Sequence, residues 1–224
     1  VQIFDRPLPV GKKAEGFILI EILVVIVIIG TLAALMIPTL SGALERANTS
    51  KCASNLRQIG GGLLLFAGEN SGNFPLAGPD IKHGQTPAPW TDQIEPYLGG
   101  QTNSINRIYI CPSSSKVNVR NRIFSYFLGT RAAYLENGNA FAAVKLQKIE
   151  SPSKFILGGD IAADCFTVDD ADKDDYSQDP AFAVSPASVH KGRVNILFAD
   201  GSVRAYEKFN SSEMQVTYSG TGTY

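Results

Sequence analysis

The stretch "EGFILIEILVVIVIIG", residues 15–30, decides how the rest of the chain is read. From Phe17 to Ile37 the only ionisable side chain is Glu21, and a helix of that length, rising about 1.5 Å per residue, covers about 30 Å, the hydrocarbon thickness of a bilayer. The segment is therefore long enough to cross a membrane. It exceeds the apolar core of a cleaved secretory signal, which runs to about 15 residues, although Arg6, Lys12 and Lys13 precede it as a basic leader would. Arg46, Lys51 and Arg57 follow in similar number, so the distribution of basic residues does not orient the span. Glu21 lies one helical turn past Phe17, near the membrane edge, where a carboxylate costs less than the roughly 2.5–3.5 kcal/mol of a mid-bilayer charge. That position tolerates the residue without explaining it. A carboxylate in an apolar helix is best satisfied by a cation supplied by another chain.

Gly16-Phe17, then Ile18-Leu19-Ile20-Glu21, an aliphatic run, Gly30 and Pro38 follow one another in an order that resembles the N-terminus of type IV prepilins and type II secretion pseudopilins. Ile18 departs from the threonine of many relatives, and Val1 stands where a full leader would begin with methionine. The resemblance implies that residues 1–16 are a leader removed by a prepilin peptidase after Gly16, and that the new N-terminal Phe17 is N-methylated. It further implies that Glu21 neutralises the N-terminal amine of a neighbouring subunit, with Gly30 and Pro38 in the same assembly segment. The partners implied are identical subunits in a helical filament, the peptidase, an inner-membrane assembly machinery, and lipid before assembly. The implied location is the inner membrane, as a single-pass protein with its head in the periplasm, and then a periplasmic or cell-surface filament. A second resemblance lies downstream. "CASNLRQIGGGLLLFAGENSGNFP", residues 52–75, and His190 followed by nine residues and Asp200-Gly201 are similar to a subset of prepilin-like proteins.

Past the span, Pro38 lacks an N–H and clashes one turn back, which predicts a kink or local melting between Gly30 and Pro38. The helix then resumes with Leu44, Cys52, Leu56, Ile59, Leu63 and Phe66 on one apolar face, and with Glu45, Arg46, Lys51, Arg57 and Gln58 at polar positions. Gly60-Gly61-Gly62 opposes it, since each glycine costs about 1 kcal/mol relative to alanine. Either another backbone approaches closely there or the helix frays. Asn70, Gly72 and Pro75 end the segment. The chain thus divides into a leader (1–16), a transmembrane and assembly helix (17–38), its amphipathic continuation (39–72) and a head (73–224). In the head a helix is expected over Trp90 to Leu98, and strands over Arg107–Ile110, Ile123–Leu128, Lys154–Leu157, Val194–Ala199 and Val203–Tyr206. The fold class is α+β, a long helix laid against a small antiparallel sheet. A two-residue hairpin loop at Asp200-Gly201 would set Phe198 opposite Val203 and Ile196 opposite Ala205.

A formal net charge of −1 supplies no global field for nucleic acid, which is not expected as a partner. His190 and Asp200 would sit about 33 Å apart along a strand unless Lys191-Gly192 folds back, so they read as a hydrogen-bonded residue fixing the start of the strand and a tight turn, not as a catalytic dyad. His83 reads as a solvated loop residue. Between residues 160 and 179 the aspartates Asp160, Asp164, Asp169, Asp170, Asp172, Asp174, Asp175 and Asp179 crowd together. Asp164, Asp169, Asp170, Asp172, Asp174 and Asp175 have the composition of a calcium loop without EF-hand spacing; the plain alternative is a self-repelling surface loop. In placement alone the loop resembles the calcium loop of major pseudopilins. Of Cys52, Cys111 and Cys165, three pairings are open, as is the reading of three buried thiols. Cys52 and Cys111 stand at positions resembling family members, where a bridge would clamp the sheet side to the helix. No nucleophile motif accompanies the two histidines, so an enzyme is not expected. The rival to a filament subunit is a membrane-anchored periplasmic or surface binding protein that never polymerises, with Trp90, Tyr97 and Tyr109 displayed on its head.

Overall fold

The structure, a computed structural model, describes residues 19–77, 86, 88–99, 108–113, 125–137, 143–161 and 190–219. Two compact units divide the chain, residues 1–44 and 45–224. One helix, α1 (Leu19–Glu69), contributes to both.

In the first unit every residue from Leu19 to Ile37 is exposed, and this stretch of α1 is long and apolar enough to cross a membrane. Glu21 falls in the first turn of the helix, where the positive end of the macrodipole favours a carboxylate. The melting expected around Pro38 does not occur, because the helix runs through that position to Glu69. A proline removes one intrahelical bond, and the neighbouring turns of a long helix retain theirs.

In the second unit Cys52, Leu56, Ile59, Leu63 and Ala67 form the buried face of α1, at the three- and four-residue steps of a helical stripe. Leu44, expected on that stripe, belongs instead to the first unit and is exposed. Glu45, expected at a polar surface position, is buried. The glycine run is explained by packing, although what approaches is side chain and not backbone. A Cβ on Gly60 would lie 2.7 Å from Leu197 Cδ1, and one on Gly62 would lie 2.9 Å from Leu98 Cδ2. Gly61 points to open space. The helix stops where expected: Gly72, at φ 79°, sends its N–H back to the Ala67 carbonyl at 2.8 Å, and the Asn70 side chain donates to the Phe66 carbonyl.

Two short helices follow, α2 (Trp90–Ile94), continued by a 3-10 turn at Glu95–Leu98, and α3 (Arg131–Asn137), which the sequence did not suggest. Four strands, β1 (Tyr126–Leu128), β2 (Ile156–Asp160), β3 (Val194–Phe198) and β4 (Val203–Tyr206), make one antiparallel sheet in that order. The long helix and the small antiparallel sheet make this an α+β, pilin-like fold. The expected strand at Arg107–Ile110 is absent among its described residues, 108–110; Tyr109 there is a core residue whose carbonyl accepts from the Ser125 N–H. The expected strand at Lys154–Leu157 is displaced to Ile156–Asp160 because Lys154 and Ile156 instead exchange backbone bonds with Gln215.

The sheet is covered on both faces. One packs with the buried face of α1, Phe74, Trp90 and Tyr109 through Leu128, Leu157 and Leu197. The other carries Phe127, Ile156, Val194, Ile196 and Phe198 under Met214 and Val216. The β3–β4 register differs from the two-residue hairpin by one position: Leu197 faces Val203 and Ile196 faces Arg204. The turn is longer, with Gly201 at φ 81° and the Ser202 carbonyl accepting from the Phe198 N–H, and one residue of slip exchanges the faces of β4. Val203 therefore joins the α1 side, and the Arg204 guanidinium lies 3.8 Å from the Phe198 ring centroid on the other.

The glycine geometry sets opposite expectations for neighbouring substitutions. Gly61→Ala is expected to stabilise the second unit by about 0.5–1 kcal/mol through helix propensity, and Gly60→Ala to destabilise it by about 1–3 kcal/mol through overpacking against Leu197. Urea unfolding of the two variants checks the difference in sign.

Candidate functional site

The second unit encloses a polar cluster built from three elements. From β2 comes Asp160. Its strand reaches the site through Gly158 and Gly159, where a Cβ would lie 2.6 Å from the Phe127 carbonyl oxygen and 2.8 Å from that of Asn195. A register irregularity between Ile156 and Gly158 accompanies them, as expected where a bulge re-aims a side chain. Asp160 is fully buried. Its Oδ2 accepts from the Asn195 backbone N–H at 2.8 Å and the Asn195 side-chain amide at 2.9 Å. Among the described residues its Oδ1 has no hydrogen-bond partner.

The chain enters β3 through His190. Lys191 and Gly192 have φ of 50° and 92°, and His190 and Arg193 exchange backbone bonds at 3.2 Å in both directions, so this is a tight two-residue turn of the primed kind. The turn sends the imidazole inward, 96 % removed from solvent by its 4 % exposure. Nε2 lies 3.1 Å from Asp160 Oδ2 and 3.5 Å from Cys111 Sγ.

Helix α1 supplies the third side. Thr49 Oγ1 stands 3.1 Å from His190 Nδ1 and donates its own proton to the Glu45 carbonyl at 2.9 Å. With that proton committed, the hydroxyl accepts from Nδ1–H. Nε2 faces Asp160 on the other side of the ring, and Glu45 Oε1 lies 4.0 Å from Nδ1. Ser113 Oγ donates to that same Glu45 oxygen at 3.1 Å. One turn along the helix, Cys52 is joined to Cys111 by a disulfide. Next to it Asn55 Nδ2 donates to the Ile110 carbonyl and to Tyr126 Oη, both at 3.3 Å. Burial, and then the Asp160 carboxylate, push the Tyr126 phenol far above its ordinary range. The cluster is largely buried, with Thr49 partly exposed at its edge, and its contacts fix elements against one another.

The other residues picked out by sequence lie elsewhere. Asp200 does not meet His190, even though the chain does fold back at Lys191-Gly192; its Oδ1 accepts from the Ser202 N–H at 2.8 Å within its own turn. Glu21, Gly30 and Pro38 lie along α1. Gly16, Phe17, His83, Cys165 and the aspartates Asp164, Asp169, Asp170, Asp172, Asp174 and Asp175 lie outside the described residues. Trp90 and Tyr109 are not displayed. Both are core residues, ring against ring at 5.6 Å, and Tyr97 donates to Glu69 at 2.6 Å. Sequence reasoning missed Asp160, Glu45, Thr49 and Asn195. The available signals were a carboxylate ending a glycine-softened strand and an asparagine at an inward position of an apolar one.

Truncating one partner of a buried, hydrogen-bonded ion pair typically costs about 3–5 kcal/mol, whereas losing an exposed turn bond costs about 0.5–1.5 kcal/mol. Asp160→Ala is therefore expected to destabilise the second unit several times more than Asp200→Ala, read by chemical unfolding followed through the fluorescence of the single tryptophan, Trp90.

No family model matches the chain, and no solved structure matches it. Among curated proteins it is similar to the type II secretion system core protein G of Klebsiella pneumoniae, 43% identical over 60 residues, which is 27% of this chain and 43% of that protein. The protein of the same name from Pectobacterium carotovorum is 39% identical over 72 residues, 32% of this chain and 46% of that one. That of Escherichia coli K12 is 43% identical over 58 residues, 26% and 40% of the two chains. The chain thus matches less than half the length of each. By this likeness and by its fold, the chain is a pseudopilin-like protein.

Proposed function

We propose that the chain is a structural subunit of a pseudopilus-type filament of a secretion system. The observation that carries this is the apolar stretch of α1, exposed from Leu19 to Ile37 with Glu21 as its one ionisable side chain. A surface of that length and composition is satisfied in two ways, by lipid or by the same segment of other subunits. The similarity to type II secretion core protein G supports the second as the end state and the first as the state before assembly.

In this reading a prepilin peptidase cuts after Gly16, Phe17 becomes the N-methylated first residue, and its amino group meets Glu21 of the adjoining subunit. Apolar packing between helices supplies cohesion. The Glu21 pair supplies alignment, as a buried polar contact selects one register among several apolar ones of similar energy. The work of the protein is mechanical.

Glu21→Ala is expected to leave membrane insertion and the fold of the second unit unchanged while filament yield falls by about tenfold or more, equivalent to about 1.4 kcal/mol per subunit contact. Electron microscopy of filament fractions from the host, with mass analysis of the mature N-terminus at Phe17, checks both parts. Wild-type yield from the variant, or a mature chain retaining residues 1–16, would overturn the reading.

A further inference from the structure

We propose that in the dithiol state Cys52, Cys111, His190 and Asp160 hold a zinc ion, so that the junction closed by a disulfide in the oxidised chain has a second, metal-bound closure. The inference is independent of filament formation. It rests on the spacing of donor atoms that the fold already brings together. One ligand atom each from Cys52, Cys111 and His190 lies within 4.8 Å of the others, and all three residues are buried.

Bond lengths of about 2.3 Å to sulfur and 2.0–2.1 Å to nitrogen and oxygen, in a tetrahedral site, separate S from N by about 3.6 Å and N from O by about 3.3 Å. The structure has Cys111 Sγ at 3.5 Å and Asp160 Oδ2 at 3.1 Å from His190 Nε2. The two sulfurs are bonded to each other, and Asp160 touches the imidazole without belonging to the close cluster of Cys52, Cys111 and His190, so the site closes when the sulfurs part and the carboxylate moves toward them. Once reduced, the sulfurs need to part to about 3.8 Å.

Two further features are those of a metal centre and not of a clamp alone. Nδ1 of His190 is engaged by Thr49, whose proton goes to the Glu45 carbonyl, which directs Nε2 toward the cysteines and mirrors the outer partner that fixes a zinc-bound histidine. Asp160 is fully buried against the imidazole, a carboxylate that a disulfide does nothing to balance and a cation would. A disulfide by itself requires neither the histidine nor the carboxylate beside it.

The chemistry is a two-step exchange. A dithiol reductant delivers two electrons and two protons to the Cys52–Cys111 bond and becomes a disulfide itself. Zn²⁺ then displaces the two thiol protons, and any proton on Nε2, to solvent, forming two Zn–S bonds, one Zn–N bond and one Zn–O bond. In the reverse direction a disulfide oxidant takes two electrons from the two zinc-bound thiolates and, with two protons from solvent, becomes a dithiol, which releases Zn²⁺ and restores the Cys52–Cys111 bond. The physiological setting that fits is a chain not yet oxidised.

The test uses the full chain in detergent micelles carrying Cys165→Ser, reduced with a phosphine that is then removed without air. Cobalt(II) is the spectroscopic probe and zinc the competitor, against a chromophoric chelator. Expected are one metal per reduced chain, a thiolate-to-cobalt charge-transfer band lost on adding zinc, and a zinc-dependent rise in Tm that the oxidised chain lacks. Thr49→Val is expected to weaken zinc binding by about tenfold, and His190→Ala and Asp160→Asn to weaken it further. Absence of stoichiometric binding by the reduced chain overturns the proposal, as does unchanged affinity in all three variants, which would leave two loose thiolates as the ligands. A His190→Ala chain that fails to fold leaves the Thr49→Val and Asp160→Asn comparisons to decide.

Discussion

A carboxylate withdrawn from water persists only where donors answer its charge, and Asp160 is the place where the second unit meets that requirement. Its donors come from β3, through both nitrogens of Asn195, and the imidazole of His190, in the turn that opens β3, lies 3.1 Å from the same oxygen. Through Thr49 the same imidazole reaches α1. One buried negative charge therefore fixes strand, turn and helix relative to one another, and it does so with directional bonds. Apolar packing alone, being non-directional, would tolerate small sliding of α1 on the sheet. The Cys52–Cys111 bridge adds a covalent stop beside these bonds. In the chain-entropy view, a loop of sequence separation 59 is worth about 4 kcal/mol.

Two carboxylates thus pose the same physical problem and resolve it differently. Asp160 finds its donors inside its own unit. Glu21 lies in an apolar segment exposed along its described length, and in the proposed filament a second chain answers its charge. The first arrangement shapes a subunit, and the second would join subunits.

Periodic and local signals were readable from the sequence, whereas those depending on pairing at a distance were not. The long helix, its buried stripe at Cys52, Leu56, Ile59 and Leu63, and its stop at Asn70 and Gly72 follow from spacing and turn chemistry that neighbouring residues determine. The strands at Val194 and Val203 were legible for the same reason. Their register was not, because one extra residue in a turn inverts a face and no residue type advertises it. The polar centre was half hidden. His190 stood out, but its partner came from the start of an aspartate-rich stretch where Asp160 looked like one solvated charge among many. Glu45 read as a surface residue because a helix pattern assigns faces by apolar periodicity, and a buried acid contributes nothing to that period. The rival reading of a binding head drew on Trp90 and Tyr109 as displayed rings, but the same chemistry suits a core once each ring finds a neighbour.

The end of the sheet at β4 bears on crowding. A terminal strand offers unpaired peptide groups to any neighbour, and lateral pairing between copies is the ordinary hazard when identical domains are concentrated. Here that strand is four residues long, is flanked by the Arg193–Glu207 pair, and carries Arg204 turned over the Phe198 ring. A brief, charged margin makes a poor template for strand addition. Copies held shoulder to shoulder would retain their separate sheets instead of fusing into cross-β aggregates.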